Sequence, residues 1–280
     1  MTAKIFFPAI FIIIIFSSCK KAEIDTDFKS AQDNANAENL FMDIPMQIIP
    51  VINGYSPIAG YAMQNPGPAS GNMQNFTCGN INILSTFDTV TNSYGFPFEF
   101  EINYGNGCTD AFDNKTRKGK ITVSLDNYWD SVGTNISVSF SNYSVNNIAL
   151  NGTITISYSD ETHFNADVTD GECVFTSYTV QFNTSKTVFY QSGYATDTII
   201  DDDVYKISGN SWGYDRSNRP YTTKTIIPFI KNASCGWITS GAFEITPEGL
   251  STRTVDYGDN TCDKNASVVI NGNTFDFELN

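Results

Sequence analysis

The residues able to do chemistry are few, and their types narrow the choices. His163 is the only histidine among 280 residues. Any Ser-His-Asp or Cys-His mechanism would run through it, with a nucleophile and an orienting group in hydrogen-bond reach. The stretch Asp160-Glu161-Thr162-His163-Phe164-Asn165 carries no catalytic motif. The chain also has no Gly-x-Ser-x-Gly elbow, no His-Glu-x-x-His and no phosphate-binding loop. A single histidine excludes zinc sites built on two, and no Cys-x-x-Cys pair offers thiolates. The expectation is a protein that is not an enzyme, with no metal and no cofactor.

Carboxylates are the remaining catalytic resource. A glycosidase needs two of them on opposite sides of a cleft. Glu99 and Glu101 share one strand face and are expected to keep it wet. Asp201-Asp202-Asp203 follows Ile199-Ile200 and reads as a solvated turn. Asp256, Asp259 and Asp263 form the best calcium candidate, because oxygen-rich turns suit that ion, but the EF-hand pattern is missing. Trp212 and Tyr214 sit among turn-type residues beside Asp215 and Arg216. They read as core packing, with sugar stacking the alternative.

The six cysteines follow a pattern. Residues 78–123 and 235–270 both open on Cys-Gly, carry Tyr-Gly shortly before a second Cys, and run on into a β-branched strand. One structural unit used twice explains this. In an antiparallel pair the start of one strand lies beside the end of the next, so Cys78 should bridge Cys108 and Cys235 should bridge Cys262. Closing loops of roughly 30 residues contributes about 3–4 kcal/mol. The alternative is buried thiols. Cys173, beside Val174 and Phe175, is left unpaired and reads as a small core residue.

Strands must position these groups. Phe96, Phe98, Phe100, Ile102 and Tyr104 alternate with Pro97, Glu99, Glu101 and Asn103, the period of a half-buried strand that Tyr104-Gly105-Asn106-Gly107 should end. Further strands are expected over 119–125, 135–140, 152–158, 174–182, 187–190, 222–230, 237–245 and 274–279. Asn146-Asn147, Asn151-Gly152 and Asn271-Gly272 are expected as turns. Asp27 could cap a helix over 28–44, which Pro45 and Pro50 would limit. The run 55–72 reads as loop. The fold class is mainly β: a large antiparallel sheet or sheets, as sandwich or curved half-barrel, with one N-terminal helix. Residues 28–280 are expected to form a single domain.

The two copies of the unit differ in one place. After its second Cys the first copy carries a longer polar segment, including Asp110, Asp113, Lys115, Arg117 and Lys118. A loop enlarged in one copy is a candidate contact loop; drift in a tolerant surface loop is the plainer reading.

Residues 1–18 read as a targeting segment: Lys4, an apolar run from Ile5 to Phe16, then Ser17-Ser18 before Cys19. Removing them would take one base and no acid from a chain already at net charge −14. That charge opposes nucleic acid as partner and opposes docking on anionic lipid.

Phe16-Ser17-Ser18-Cys19 resembles the lipobox cut by signal peptidase II. With Tyr104-Gly-x-Gly-Cys-Thr-Asp110, Arg117-Lys-Gly-Lys120 and Asp256-Tyr-Gly…Cys262-Asp263, the chain resembles the β-rich cell-envelope lipoproteins of Bacteroidota. The resemblance implies lipidation at Cys19, a lipidated tether over 19–27 and attachment to the membrane, expected to be the outer membrane, through acyl chains. It implies no particular activity. Bacteria of that group O-glycosylate Asp-Ser/Thr followed by an aliphatic residue, a pattern met at Asp88-Thr89-Val90, Asp130-Ser131-Val132 and Asp197-Thr198-Ile199. The function expected is a non-enzymatic binding or structural scaffold with an envelope protein, glycan or lipid as partner. The rivals are a carrier sheltering an apolar ligand, with the helix as lid or plug, and a carboxylate glycosidase.

Overall fold

In the computed structural model, residues 25–54, 78–90, 93–111, 113–128, 131–193 and 201–280 are described. The helix α1 spans Lys29–Gly54. The strands are β1 Asn80–Ile83, β2 Phe87–Asp88, β3 Ser93–Tyr94, β4 Phe98–Thr109, β5 Thr116–Leu125, β6 Asn135–Val145, β7 Ile148–Tyr158 and β8 His163–Val174. They continue as β9 Thr179–Ser192, β10 Val204–Tyr214, β11 Pro220–Asn232, β12 Ser240–Pro247, β13 Arg253–Asp259, β14 Asn265–Ile270 and β15 Asn273–Glu278. The short β2–β3 hairpin stands apart. The other strands form one antiparallel sheet in chain order, β1 beside β4 and then each strand beside the next, and the sheet does not close into a barrel.

Of the two shapes left open by the sequence, this is one curved sheet and not two stacked ones. It curves around α1, whose side chains reach β4, β5, β9 and β10 and the turn after β10. Residues on every side of the helix are buried, from Ala31 and Ala35 through Leu40, Phe41 and Ile44 to Ile48 and Ile52. Phe41 stacks on Phe182 of β9 at 5.3 Å. The expected cap forms, with the Lys29 amide donating to the Asp27 carboxylate at 3.1 Å.

Five expectations are corrected. The helix does not stop near Pro45; it continues to Gly54. A buried helix draws its stability from packing on all sides, and this outweighs the hydrogen bond that a proline removes. Strand β4 starts at Phe98 and not at Phe96, which lies outside against Tyr128 at 5.0 Å. The Tyr104–Gly107 run does not end that strand. Gly105 and Gly107 take positive φ at register shifts, and pairing resumes at Cys108 with Arg117. Gly152 acts likewise inside β7, where a turn was expected, whereas Asn146-Asn147 and Asn271-Gly272 are hairpin turns. The strand expected over 174–182 is broken: Val174 ends β8, residues 175–178 form the turn, and β9 begins at Thr179.

Candidate functional site

The densest polar chemistry lies inside the sheet. The helix carries three acidic residues at five-residue spacing, Asp33, Glu38 and Asp43, and all three are buried. Five residues of α-helix turn the direction through about 140°, so the three carboxylates point to different parts of the surrounding sheet. Each meets a cation there.

Asp43 is the most crowded. Arg117 of β5 donates from Nη2 to Asp43 Oδ2 at 2.7 Å, and also grips Asp113 with Nη1 at 3.0 Å and Nη2 at 2.5 Å. Lys115 Nζ stands 3.5 Å from Asp43 Oδ1 and donates to the Gly236 carbonyl at 2.6 Å. Lys231 of β11 is 3.9 Å from the same oxygen and donates to the Cys235 carbonyl at 2.7 Å. Lys115 also lies over the Trp237 ring at 4.7 Å. Asp110 completes the group, 3.8 Å from Arg117 Nη1. Three carboxylates thus face three cations in a water-poor space.

Strand alternation aims the sheet's cations inward. In β5 the inward positions Ile121, Val123 and Leu125 extend back to Arg117. Gly119 keeps the strand close to its neighbour: a Cβ there would strike the Asn142 carbonyl. In β9 the inward series Val180, Phe182, Thr184 continues to Lys186, and in β11 Phe229 leads to Lys231.

Burial and charge act oppositely on these groups. Burial raises the carboxyl of Asp43, but Lys115, Arg117 and Lys231 more than reverse this and hold it well below the usual carboxylate range. Burial lowers Arg117, and Asp43 and Asp113 more than restore it. Lys231 is pushed down to about 7 by burial and by Lys115 and Arg117, against the pull of Asp43 and Asp113.

The other two acids are held similarly. Glu38 Oε2 meets Lys186 Nζ at 3.0 Å and accepts from Ser211 Oγ at 2.9 Å. Asp33 accepts from Arg216 Nε at 2.8 Å and from the Arg216 amide at 2.8 Å, and the guanidinium stacks on Tyr178 at 4.5 Å. Here burial outweighs Arg216, so the Asp33 carboxyl is raised. Asn36 and Asn39 accept backbone amides from Asn280 and Ile238. Chemically the arrangement pins a helix to a sheet.

The expected contact loop is therefore corrected. Asp110, Asp113, Lys115 and Arg117 face the helix, with side chains at most 3 % exposed. Of the five residues only Lys118 is more open, at 3.3 Å from Asn147.

Both disulfides form as the repeat implies, Cys78–Cys108 and Cys235–Cys262, each with Cα atoms 5.8 Å apart. Cys173 is unpaired and buried, and burial pushes its thiol up. His163 opens β8, half-buried and stacked on Phe189 at 4.6 Å, with Nδ1 2.9 Å from Asp160. Glu101 pairs with Lys120 at 3.0 Å on the outer face. Asp256, Asp259 and Asp263 share an open depression of about 780 Å³, yet among the described residues no acidic or sulfur group is arranged to hold a metal. A second open depression, about 750 Å³, is lined by Trp237, Asn146, Asn147 and Lys264. Trp212 and Tyr214 are strand residues of β10, not turn residues, and are exposed rather than packed in the core. Thr89 is exposed in the β2–β3 turn and Ser131 half-buried before β6; Asp130, Asp197-Thr198-Ile199 and Cys19 lie outside the described residues.

No known protein family, no curated protein and no solved structure matches this chain.

Proposed function

We propose that the protein is a lipid-anchored, non-enzymatic component of the bacterial cell envelope, carried on the outer membrane through Cys19 and serving as a binding or structural scaffold. The observation that carries the reading is the occupied interior. A carrier of this shape would keep the space within its curved sheet for an apolar ligand, whereas here α1 fills it and is tied in by three sets of ion pairs. Extracting a helix so bound would strip partners from buried charges, a cost of several kcal/mol for each broken pair. A rigid body with its polar surface outward suits a partner bound outside, whether envelope protein, glycan or lipid.

The anchor is tested by growing cells with a tagged fatty acid and comparing wild type with Cys19→Ala. Label on the wild type and none on the variant is expected. Label retained by Cys19→Ala, or absent from the wild type, defeats the anchoring. The scaffold is tested on purified protein by organic extraction and mass spectrometry. A stoichiometric apolar molecule released without cleavage of the anchor would favour the carrier instead.

A further inference from the structure

The chain enters the described body at Asp25, and that entry point is tightly held. Arg253 donates from Nη2 to the Asp25 carboxylate at 2.9 Å, and from Nε and Nη2 to the Asp27 carbonyl at 3.1 and 2.8 Å. Arg219 reaches the Asp27 carboxylate at 3.3 Å. Arg219 lies in the turn between β10 and β11, and Arg253 opens β13 opposite Ile245. Both belong to one rim of the sheet, because Tyr214 pairs with Pro220 and Tyr221 with Pro247.

The same rim carries two unburied aromatic side chains. Along the end of β10, Ser211 and Gly213 face inward while Trp212 and Tyr214 face outward, 46 % and 42 % exposed. Two strand residues apart, they stand about 7 Å from each other on one face. Trp and Tyr combine an apolar ring with a polar atom that seeks water, and so concentrate at membrane–water boundaries. Neither needs the membrane to be anionic, so the net charge of −14 does not oppose them.

Tether length brings the rim and the bilayer together. Asp25 stands six positions after Cys19, and a fully extended chain of that length spans at most about 20 Å. With acyl chains at Cys19 in the bilayer, the rim is the part of the body kept nearest the headgroups. We propose that this rim rests on the lipid surface, with Trp212 and Tyr214 seated in the headgroup region as a second contact beside the acyl anchor. The inference rests on the anchoring at Cys19 and adds an orientation: β10 and the β10–β11 turn face the membrane, and the far ends of the strands face away.

The test uses the full lipidated chain in phosphatidylcholine vesicles whose acyl chains carry bromine at a shallow or a deep position. Flotation with the vesicles reports the anchor, and tryptophan emission reports the contact. The expected result is quenching of part of the wild-type emission, stronger for shallow bromine, and loss of that quenchable part in Trp212→Phe, which still floats. Tyr214→Ser should float and show weaker quenching of Trp212. A floating wild type with no quenching, or with quenching equal to that of Trp212→Phe, overturns the orientation and leaves the anchor standing. A chain that carries no fatty acid and does not float overturns both.

Discussion

Replacing Asp43 with asparagine takes one negative charge from the middle of the molecule and changes almost no volume. The carboxylate lies 2.7 Å from Arg117, 3.5 Å from Lys115 and 3.9 Å from Lys231. Arg117 would keep Asp113 at 2.5 Å, and Lys115 would keep the same residue at 3.9 Å. Among the described residues Lys231 has an ion pair with Asp43, while Asp113 acts on it from farther away, so without Asp43 it would face two cations with weaker compensation. Removing one member of a buried ion pair costs about 3–5 kcal/mol. Two features pull the expectation to the low end. Asp113 still neutralises the guanidinium, and Lys231, already at about 7, falls further without Asp43 and sheds its proton at neutral pH. We expect a loss of about 3 kcal/mol, equivalent for a chain of this size to a fall in Tm of roughly 6–12 °C. Urea unfolding followed by tryptophan emission at pH 7 measures it. The double variant Asp43→Asn/Lys231→Met should lose less than the sum of the two single losses, because it removes the cation that Asp43 no longer balances. A loss under about 1 kcal/mol, typical of an exposed pair, or strictly additive losses in the double variant, would refute the account of the cluster.

Two further expectations follow from the same interior and its staples. Lys231 has a folded pKa of about 7 against 10.5 when free, so between these values the unfolded chain holds the extra proton and stability climbs with pH. Unfolding free energies measured from pH 6.5 to 9.5 should show that climb in the wild type and a flatter course in Lys231→Met; equal slopes would count against it. The double replacement Cys235→Ser/Cys262→Ser opens a 27-residue separation and should lower stability by about 3–4 kcal/mol, read from urea melts, whereas an unchanged midpoint would mean that the disulfide constrains nothing.

Much of the framework is legible in the sequence because it is local or repeated. The disulfides follow from two copies of one pattern, and the Asn146-Asn147 and Asn271-Gly272 turns follow from residues that accept positive φ. The fate of the Asp110–Lys118 segment was misread for a definable reason. Starting β5 at Gly119 leaves Arg117 and Lys115 in a polar loop, where charge suggests the surface. Continuing the alternation of Leu125, Val123 and Ile121 back through Gly119 places Arg117 inward, as the structure has it. Lys186 and Lys231 could have been found the same way, each standing where the alternation of β9 and β11 requires a core residue. The helix acids were harder. Asp33, Glu38 and Asp43 do not share a face, and only a sheet that surrounds the helix makes all three interior. That enclosure depends on pairings between residues more than a hundred positions apart, which no local pattern encodes.

Chain order gives the polar helix a physical reason. α1 is made first, but its partners are Lys115 and Arg117, then Lys186, Arg216 and Lys231, and finally Asn280. Contacts of such separation form late, because loop closure must precede them. A wholly apolar helix would wait exposed through the assembly of the whole sheet, at risk of aggregation. A helix bearing Asp33, Asn34, Asn36, Glu38, Asn39 and Asp43 stays soluble in that interval. Its charges then become specific: five-residue spacing aims each acid at a different part of the sheet, so a helix rotated by one residue would leave all three carboxylates beside the wrong side chains, with the penalty of unpaired buried charge. Stability alone could be had from apolar packing. What the ion pairs add is a single rotational setting for the element around which the sheet curves, with its entry at Asp25 fixed to the rim by Arg219 and Arg253.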